Sequence, residues 1–119
     1  MKTIIGILEE KMRELKENEI KTFELVTPDN VATAENLEKE EEIFITTAGK
    51  KDIKPGTKGI LAEVKDKKRF YNKMGGLFDE KEALTIRLQT EYLEEAEVKD
   101  LMIEDRGVET EIQKHFLMG

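Results

Sequence analysis

Lys54-Pro55-Gly56-Thr57-Lys58-Gly59-Ile60-Leu61-Ala62-Glu63-Val64 passes from a turn directly into a strand. Pro55 presets the φ of a turn position and Gly56 supplies the freedom the next position needs. Ile60, Ala62 and Val64 then alternate with Leu61, Glu63 and Lys65, the period-two pattern of a strand with one face on a core. The strand is expected to run toward Phe70, and Gly75-Gly76 then breaks the chain. The same region is the charge anomaly of the molecule. Between Lys50 and Lys73, nine cationic residues stand against Asp52, Glu63 and Asp66, a local charge of +6 in a chain of net −7, so everything else sums to −13. A patch of this kind can hold an anion.

Upstream of this segment, Ile5, Leu8, Met12 and Leu15 recur at helical spacing, which predicts an amphipathic helix over about residues 5–18. Ile20 to Thr27 is rich in β-formers and reads as a strand. Thr27-Pro28-Asp29-Asn30 is either a turn or a helix start with Thr27 as cap and Pro28 at the first helical position. The stretch from there to Lys39 is compatible with more than one structure. Glu42 to Ala48 has the content of a buried strand, ended by Gly49.

Downstream, Asp79 with Glu82 forms a capping-box pattern that predicts a short helical turn. Leu84, Ile86 and Leu88 then alternate as in a strand. Glu97 to Ile103, a turn at Arg106-Gly107, and alternation through Val108, Thr110, Ile112, Lys114 and Phe116 predict a hairpin. The sum is a single domain over residues 1–119, α+β in class, a small, mainly antiparallel β-barrel with an N-terminal helix and about six strands.

Composition removes whole classes of chemistry. The chain has 119 residues, no Cys and one His, which leaves no disulfide, thiolate nucleophile or Cys-containing zinc site and almost no scope for imidazole ligation. Neither Glu38 to Glu42 nor Glu94 to Glu97 has the spacing of a calcium loop, so no metal is expected. Gly56-x-x-Gly59 lacks the Gly-Lys-Ser/Thr ending of a phosphate-binding loop, and no cofactor is expected. The N-terminal apolar stretch is too short for a signal peptide and no run is long enough for a membrane helix, so a soluble, cytoplasmic protein without membrane partners is expected. A core short of aromatics under a Lys- and Glu-rich surface is also the composition in which ion networks support stability at high temperature.

The order of elements around Glu19-Ile20-Lys21-Thr22-Phe23-Glu24-Leu25-Val26 and the Lys54–Val64 segment resembles that of ASCH domains in the PUA-like superfamily. Their signature is Gly-x-Lys-x-x-Glu-x-Arg. Lys21 and Glu24 match its Lys and Glu, whereas Glu19 stands at the Gly and Val26 at the Arg. The likeness covers about residues 5–70 and implies a cleft beside the barrel, lined by the Lys and Glu of the signature, where nucleic acid or a modified nucleoside binds. The chain is also similar to a family of small archaeal proteins in which a Thr-x-Glu strand, a Phe-Ile-Thr strand and a Pro-Gly-Thr-x-Gly-Ile-x-Ala-x-Val segment follow each other, a likeness that extends through Arg87-Leu88-Gln89 and implies no activity.

Three readings follow. The first is a PUA-like domain that binds RNA or a phosphate-bearing small molecule without catalysis. Lys67-Lys68-Arg69-Phe70-Tyr71 interleaves cations with aromatics as phosphate contact plus base stacking requires, and Lys21, Lys65, Lys67, Lys68, Arg69 and Tyr71 are its candidate ligand-binding residues. Opposing it, these lysines can instead pair with the glutamates of 38–42 or 91–97. The second is suggested by PUA-like amidohydrolases that use a Lys with a Thr and a Glu, and makes Lys21, Thr22, Glu24 and Glu63 the catalytic candidates. Strand alternation turns Lys21 away from Thr22, which deprives that nucleophile of a base, and Lys21 and Glu24, three apart, share a face only if a bulge intervenes. The third is an interaction module whose acidic remainder and basic segment meet a complementary partner or a second copy, as a homodimer.

Overall fold

The computed structural model describes residues 1–17, 20–74 and 81–114. Its elements, in chain order, are β1 (Lys2–Ile4), α1 (Glu9–Glu17), β2 (Ile20–Leu25), α2 (Pro28–Glu35), β3 (Glu42–Ile45), β4 (Lys58–Met74), β5 (Lys81–Glu104) and β6 (Gly107–Lys114). The fold is mostly β, with two helices against one six-stranded mixed sheet in the order β2-β5-β4-β3-β1-β6. The β1–β3 pairing is parallel and every other pairing is antiparallel. Because β5 also pairs with β6, the strands β1, β3, β4, β5 and β6 are linked in a closed circuit, with β2 attached to the outer edge of β5.

Two apolar clusters lie on opposite faces of β3 and β4, which is why both strands read as nearly continuous apolar runs. Ile43, Ile45, Ile60, Ala62 and Val64 pack with Met12 and Leu15 of α1, Phe23 and Leu25 of β2, and Ala34 of α2. Phe44 and Leu61 point the other way, to Ile5, Ile53, Ala96, Val98 and Val108. Gly59 belongs to this second side. A Cβ there would lie 2.4 Å from the carbonyl oxygen of Ile45 and 2.5 Å from the Phe44 ring, so only glycine lets that ring close onto the strand.

Two bulges in the β4–β5 pairing change which residues face which cluster. Leu61 is opposite Glu94 while Ala62 is opposite Tyr92, so Leu93 is an extra residue in β5. The even-numbered side chains of β5 accordingly move from the helix-side cluster, where Tyr92 packs, to the Phe44 cluster, where Ala96 and Val98 sit. In β4 the extra residue is Lys65, between Val64↔Thr90 and Asp66↔Gln89.

α2 starts with Thr27 in extended conformation and Pro28 in the first turn, one of the two starts open to the sequence, although the Thr27 hydroxyl makes no capping bond. It is held to the sheet by polar side chains. The buried Asn30 amide accepts from the Ile5 N–H at 2.9 Å and donates to the Ile5 carbonyl at 2.7 Å. Asp29 accepts from Gly107 N–H at 2.9 Å and pairs with Lys50 at 3.2 Å.

The first residues depart from the helix expected from position 5. Lys2–Ile4 forms a strand, Gly6 takes a positive φ of 64°, and the helix begins only at Glu9. Ile5 consequently joins the Phe44 cluster and Leu8 is 76% exposed, so Met12 and Leu15 alone carry the buried face of α1. The expected helical turn around Asp79 and Glu82 lies partly outside the described residues, and from Lys81 onward the backbone is strand. His115 and Phe116 also lie outside the described residues, and the terminal hairpin is formed by β5 and β6 around Asp105-Arg106.

Candidate nucleic-acid interface

Beyond Lys65 the second half of β4 pairs with the first half of β5, from Asp66↔Gln89 to Met74↔Lys81, and β2 lies alongside from Ile20↔Glu91 to Leu25↔Ile86. Cross-strand partners share a face of a sheet. Uninterrupted alternation would carry Asp66, Lys68 and Phe70 inward after Ile60, Ala62 and Val64. The bulge at Lys65 reverses this, so Lys67 and Arg69 stand opposite Leu88 and Ile86 on the helix side, and Asp66 and Lys68 stand opposite Gln89 and Arg87 on the other.

On the helix side the cations are engaged. Lys67 Nζ donates to the carbonyls of Glu35 and Leu37 at 2.9 and 2.8 Å, closing the C-terminal end of α2, where unsatisfied carbonyls favour a cation. Arg69 pairs with Glu35 at 3.0 Å and donates to the Tyr71 hydroxyl at 3.0 Å. Lys65 itself lies 3.3 Å from Glu63 and 3.6 Å from Glu91, and the hydrogen bond it donates to Glu63 holds its ammonium pKa above the usual lysine value.

The opposite face is different. Thr22, Asp66, Lys68, Arg87 and Gln89 line a depression of 240 Å³ open to solvent. Arg87 is braced by Glu24 at 2.9 Å and lies 4.7 Å from the centroid of the Phe70 ring, which is itself 36% exposed. Asp66 accepts from the Lys67 N–H at 2.9 Å and pairs with Lys39 at 3.8 Å. Lys68 is exposed and has no ion-pair partner among the described residues. The surface thus combines a cation, a guanidinium stacked on an aromatic ring, an amide and a hydroxyl, a set suited to a phosphate with an adjoining base.

Of the residues singled out in the sequence, this face collects Thr22, Glu24 and Lys68, with Glu63 adjoining through its pairing with Glu91. It does not collect Lys21, which lies opposite Thr90 and on the side of Phe23 and Leu25. There Lys21 helps Lys11, the stronger influence, to hold the Glu14 carboxyl below its usual range. Lys21 and Glu24 are therefore on opposite faces of β2. Lys67, Arg69 and Tyr71 lie on the helix side, away from Lys68. Arg87 and Gln89 were not among the sequence candidates. Their signal was the alternation of Arg87 and Gln89 with Ile86 and Leu88, which reads as one polar face of a strand. Among the described residues no group of three His, Cys, Asp or Glu could hold a metal ion, and no helix is long and apolar enough to cross a membrane.

The class defined by this architecture is a mostly-β fold with two helices on a mixed sheet and a polar, cation-bearing strand face. More particularly, the chain belongs to the family described as Protein of unknown function (DUF473), whose model matches residues 1–112. It is 36% identical over 90 residues to an uncharacterized protein of Methanocaldococcus jannaschii, an alignment covering 76% of this chain and 59% of the relative. The chain thus spans about three-fifths of that relative's length. The likeness to a small archaeal family, read from the three strand segments, agrees with both matches.

Proposed function

We propose that the five-strand circuit with its helices is a PUA-like barrel, and that the face formed by β2, β4 and β5 binds single-stranded RNA or a nucleotide-like anion without catalysis. One observation carries the reading. Lys68 has no ion-pair partner among the described residues and stands on an open face beside Arg87, which Glu24 holds against the exposed Phe70 ring, whereas Lys65, Lys67 and Arg69 of the same basic block are engaged by carboxylates or helix-end carbonyls. A molecule of net charge −7 repels polyanions at long range, so affinity has to come from close contacts on such a face and to fall with salt.

The test is fluorescence anisotropy with a labelled single-stranded RNA across a salt series. Each phosphate contact contributes about −0.7 to the slope of log K against log salt for single strands. Lys68→Glu and Arg87→Glu are each expected to lower affinity by about tenfold and to flatten that slope, and Phe70→Ala to weaken binding without changing the slope. Affinity that ignores both salt and these substitutions sinks the reading.

A further inference from the structure

A second cavity of 330 Å³ lies between α1 and the sheet, at the other end of β4 from the basic face and lined by none of its residues. Gly59 and Ala96, opposed across β4 and β5, turn their Cβ positions to the Phe44 side, so between Lys58 and Ile60 and beside Glu95 the cleft meets sheet backbone. Met12 closes the apolar side. Lys16 on α1 is fixed to Glu95 on β5 at 2.7 Å, forming one wall. The rim carries Arg13 on α1 and Lys58 at the start of β4, both exposed and both without an ion-pair partner among the described residues.

We infer that this cleft is a binding site for a nucleoside monophosphate, separate from the RNA-binding face proposed above. Its volume is at the small end of ligand pockets, which run from about 300 Å³ upward, and matches one mononucleotide. Arg13 and Lys58 supply charge-assisted donors for a single phosphate. The Met12 thioether and the backbone at Gly59 give a flat, polarisable surface for a base. Thr47 and the carboxylates of Glu9 and Glu95, also in the lining, accept from hydroxyl and amino groups and would repel further phosphates. The charge pattern therefore selects a monophosphate over a di- or triphosphate and over a free carboxylate without a ring.

Isothermal titration of the whole chain with AMP, CMP, ADP, adenosine and inorganic phosphate tests this. A nucleoside monophosphate should bind at least tenfold more tightly than its nucleoside or inorganic phosphate, and AMP more tightly than ADP. Arg13→Glu and Lys58→Glu should each weaken the monophosphate by tenfold or more, with unchanged circular dichroism because both side chains are exposed. Arg13→Gln and Lys58→Gln are the fallback if a reversal perturbs folding. No binding of either monophosphate, tighter binding of ADP, or indifference to Arg13 and Lys58 overturns the inference. If Lys68→Glu and Arg87→Glu, and not the cleft variants, abolish AMP binding, the nucleotide occupies the β2–β4–β5 face and the cleft is refuted while the RNA reading stands.

Discussion

β4 and β5 are the same pair of strands from end to end, yet the part before Lys65 and the part after it are built on different principles. Up to Val64, β4 is covered on both faces and its side chains are chosen by packing, with Ile60, Ala62 and Val64 on one side and Leu61 beside the Phe44 ring on the other. Beyond Lys65 the helix-side face still packs, through Ile86 and Leu88, but the other face is open and polar. The basic block straddles this boundary, so its +6 charge is not one feature. Lys50 serves architecture by holding Asp29 and the Asp105 carbonyl, Lys67 closes a helix, and Lys68 is presented to solvent. Charge counted along a sequence says little until the face of each side chain is known.

The contrast can be broken most forcefully at the aromatics. Phe44 is fully buried, and Phe44→Ala is expected to cost about 3–5 kcal/mol by urea denaturation, as for other phenylalanines removed from a core. Phe70 is 36% exposed on the open face, so Phe70→Ala should cost under about 1 kcal/mol. Comparable losses at both positions would make the part of β4 and β5 beyond Lys65 an extension of the core and remove the distinction.

Next in size is the polar latch. Asn30→Ala leaves both the N–H and the carbonyl of Ile5 without their partner in a buried place, and a destabilisation of about 2–3 kcal/mol is expected. Asn30→Asp keeps an acceptor for the N–H but turns a carboxylate toward the Ile5 carbonyl, so it should not rescue stability. Hydrogen exchange at Ile5 would show whether α2 loosens locally or the whole domain opens.

This latch also shows what could and could not be read from the sequence. The strands that begin at Glu42 and run through Ile60 to Phe70, the terminal hairpin and the helix around Met12 follow from local periodicity and are present, although the first of them ends at Ile45 rather than Ala48. β1 did not follow, because Ile5 and Leu8 fit a helical phase that Gly6 interrupts through its positive φ. The extent of α2 did not, although its start at Thr27-Pro28 was open to the sequence, because its buried positions include Asn30, a polar residue that anchors it to Ile5, and Thr33. The split of Lys67 from Lys68 was legible as alternation. Which of the two faces outward was not, since one extra residue at Lys65 reverses the phase without changing composition. Closure of the circuit through β1 depends on pairings between chain ends that no local pattern encodes.

Lys67 sharpens the comparison at about 1 kcal/mol. Its ammonium binds two carbonyls at the end of α2, an arrangement of the kind that contributes roughly that much at helix C-termini. Lys67→Met should therefore lower stability while leaving RNA affinity nearly unchanged, and Lys68→Met should do the reverse. Measuring both quantities on both variants separates two adjacent lysines by the faces they occupy. Equal effects on RNA would mean that this end of β4 and β5 binds through its overall charge.

The smallest effect sits at the boundary itself. The Lys65 ammonium is favoured in the folded protein first by its hydrogen bond to Glu63, then by the charges of Glu63 and Glu91, so its folded pKa lies above the unfolded value of 10.5. A raised cation stabilises the fold fully below the unfolded pKa and loses that contribution as pH rises through the folded one. The wild type and Lys65→Met should accordingly differ slightly and constantly in melting temperature through neutral pH, and the difference should close only above pH 10.5. The pair is only partly buried, so salt should shrink the difference too. A difference that persists at high pH and high salt would locate the role of Lys65 in the bulge geometry, with its aliphatic stem rather than its charge setting the change of face between the two halves of β4.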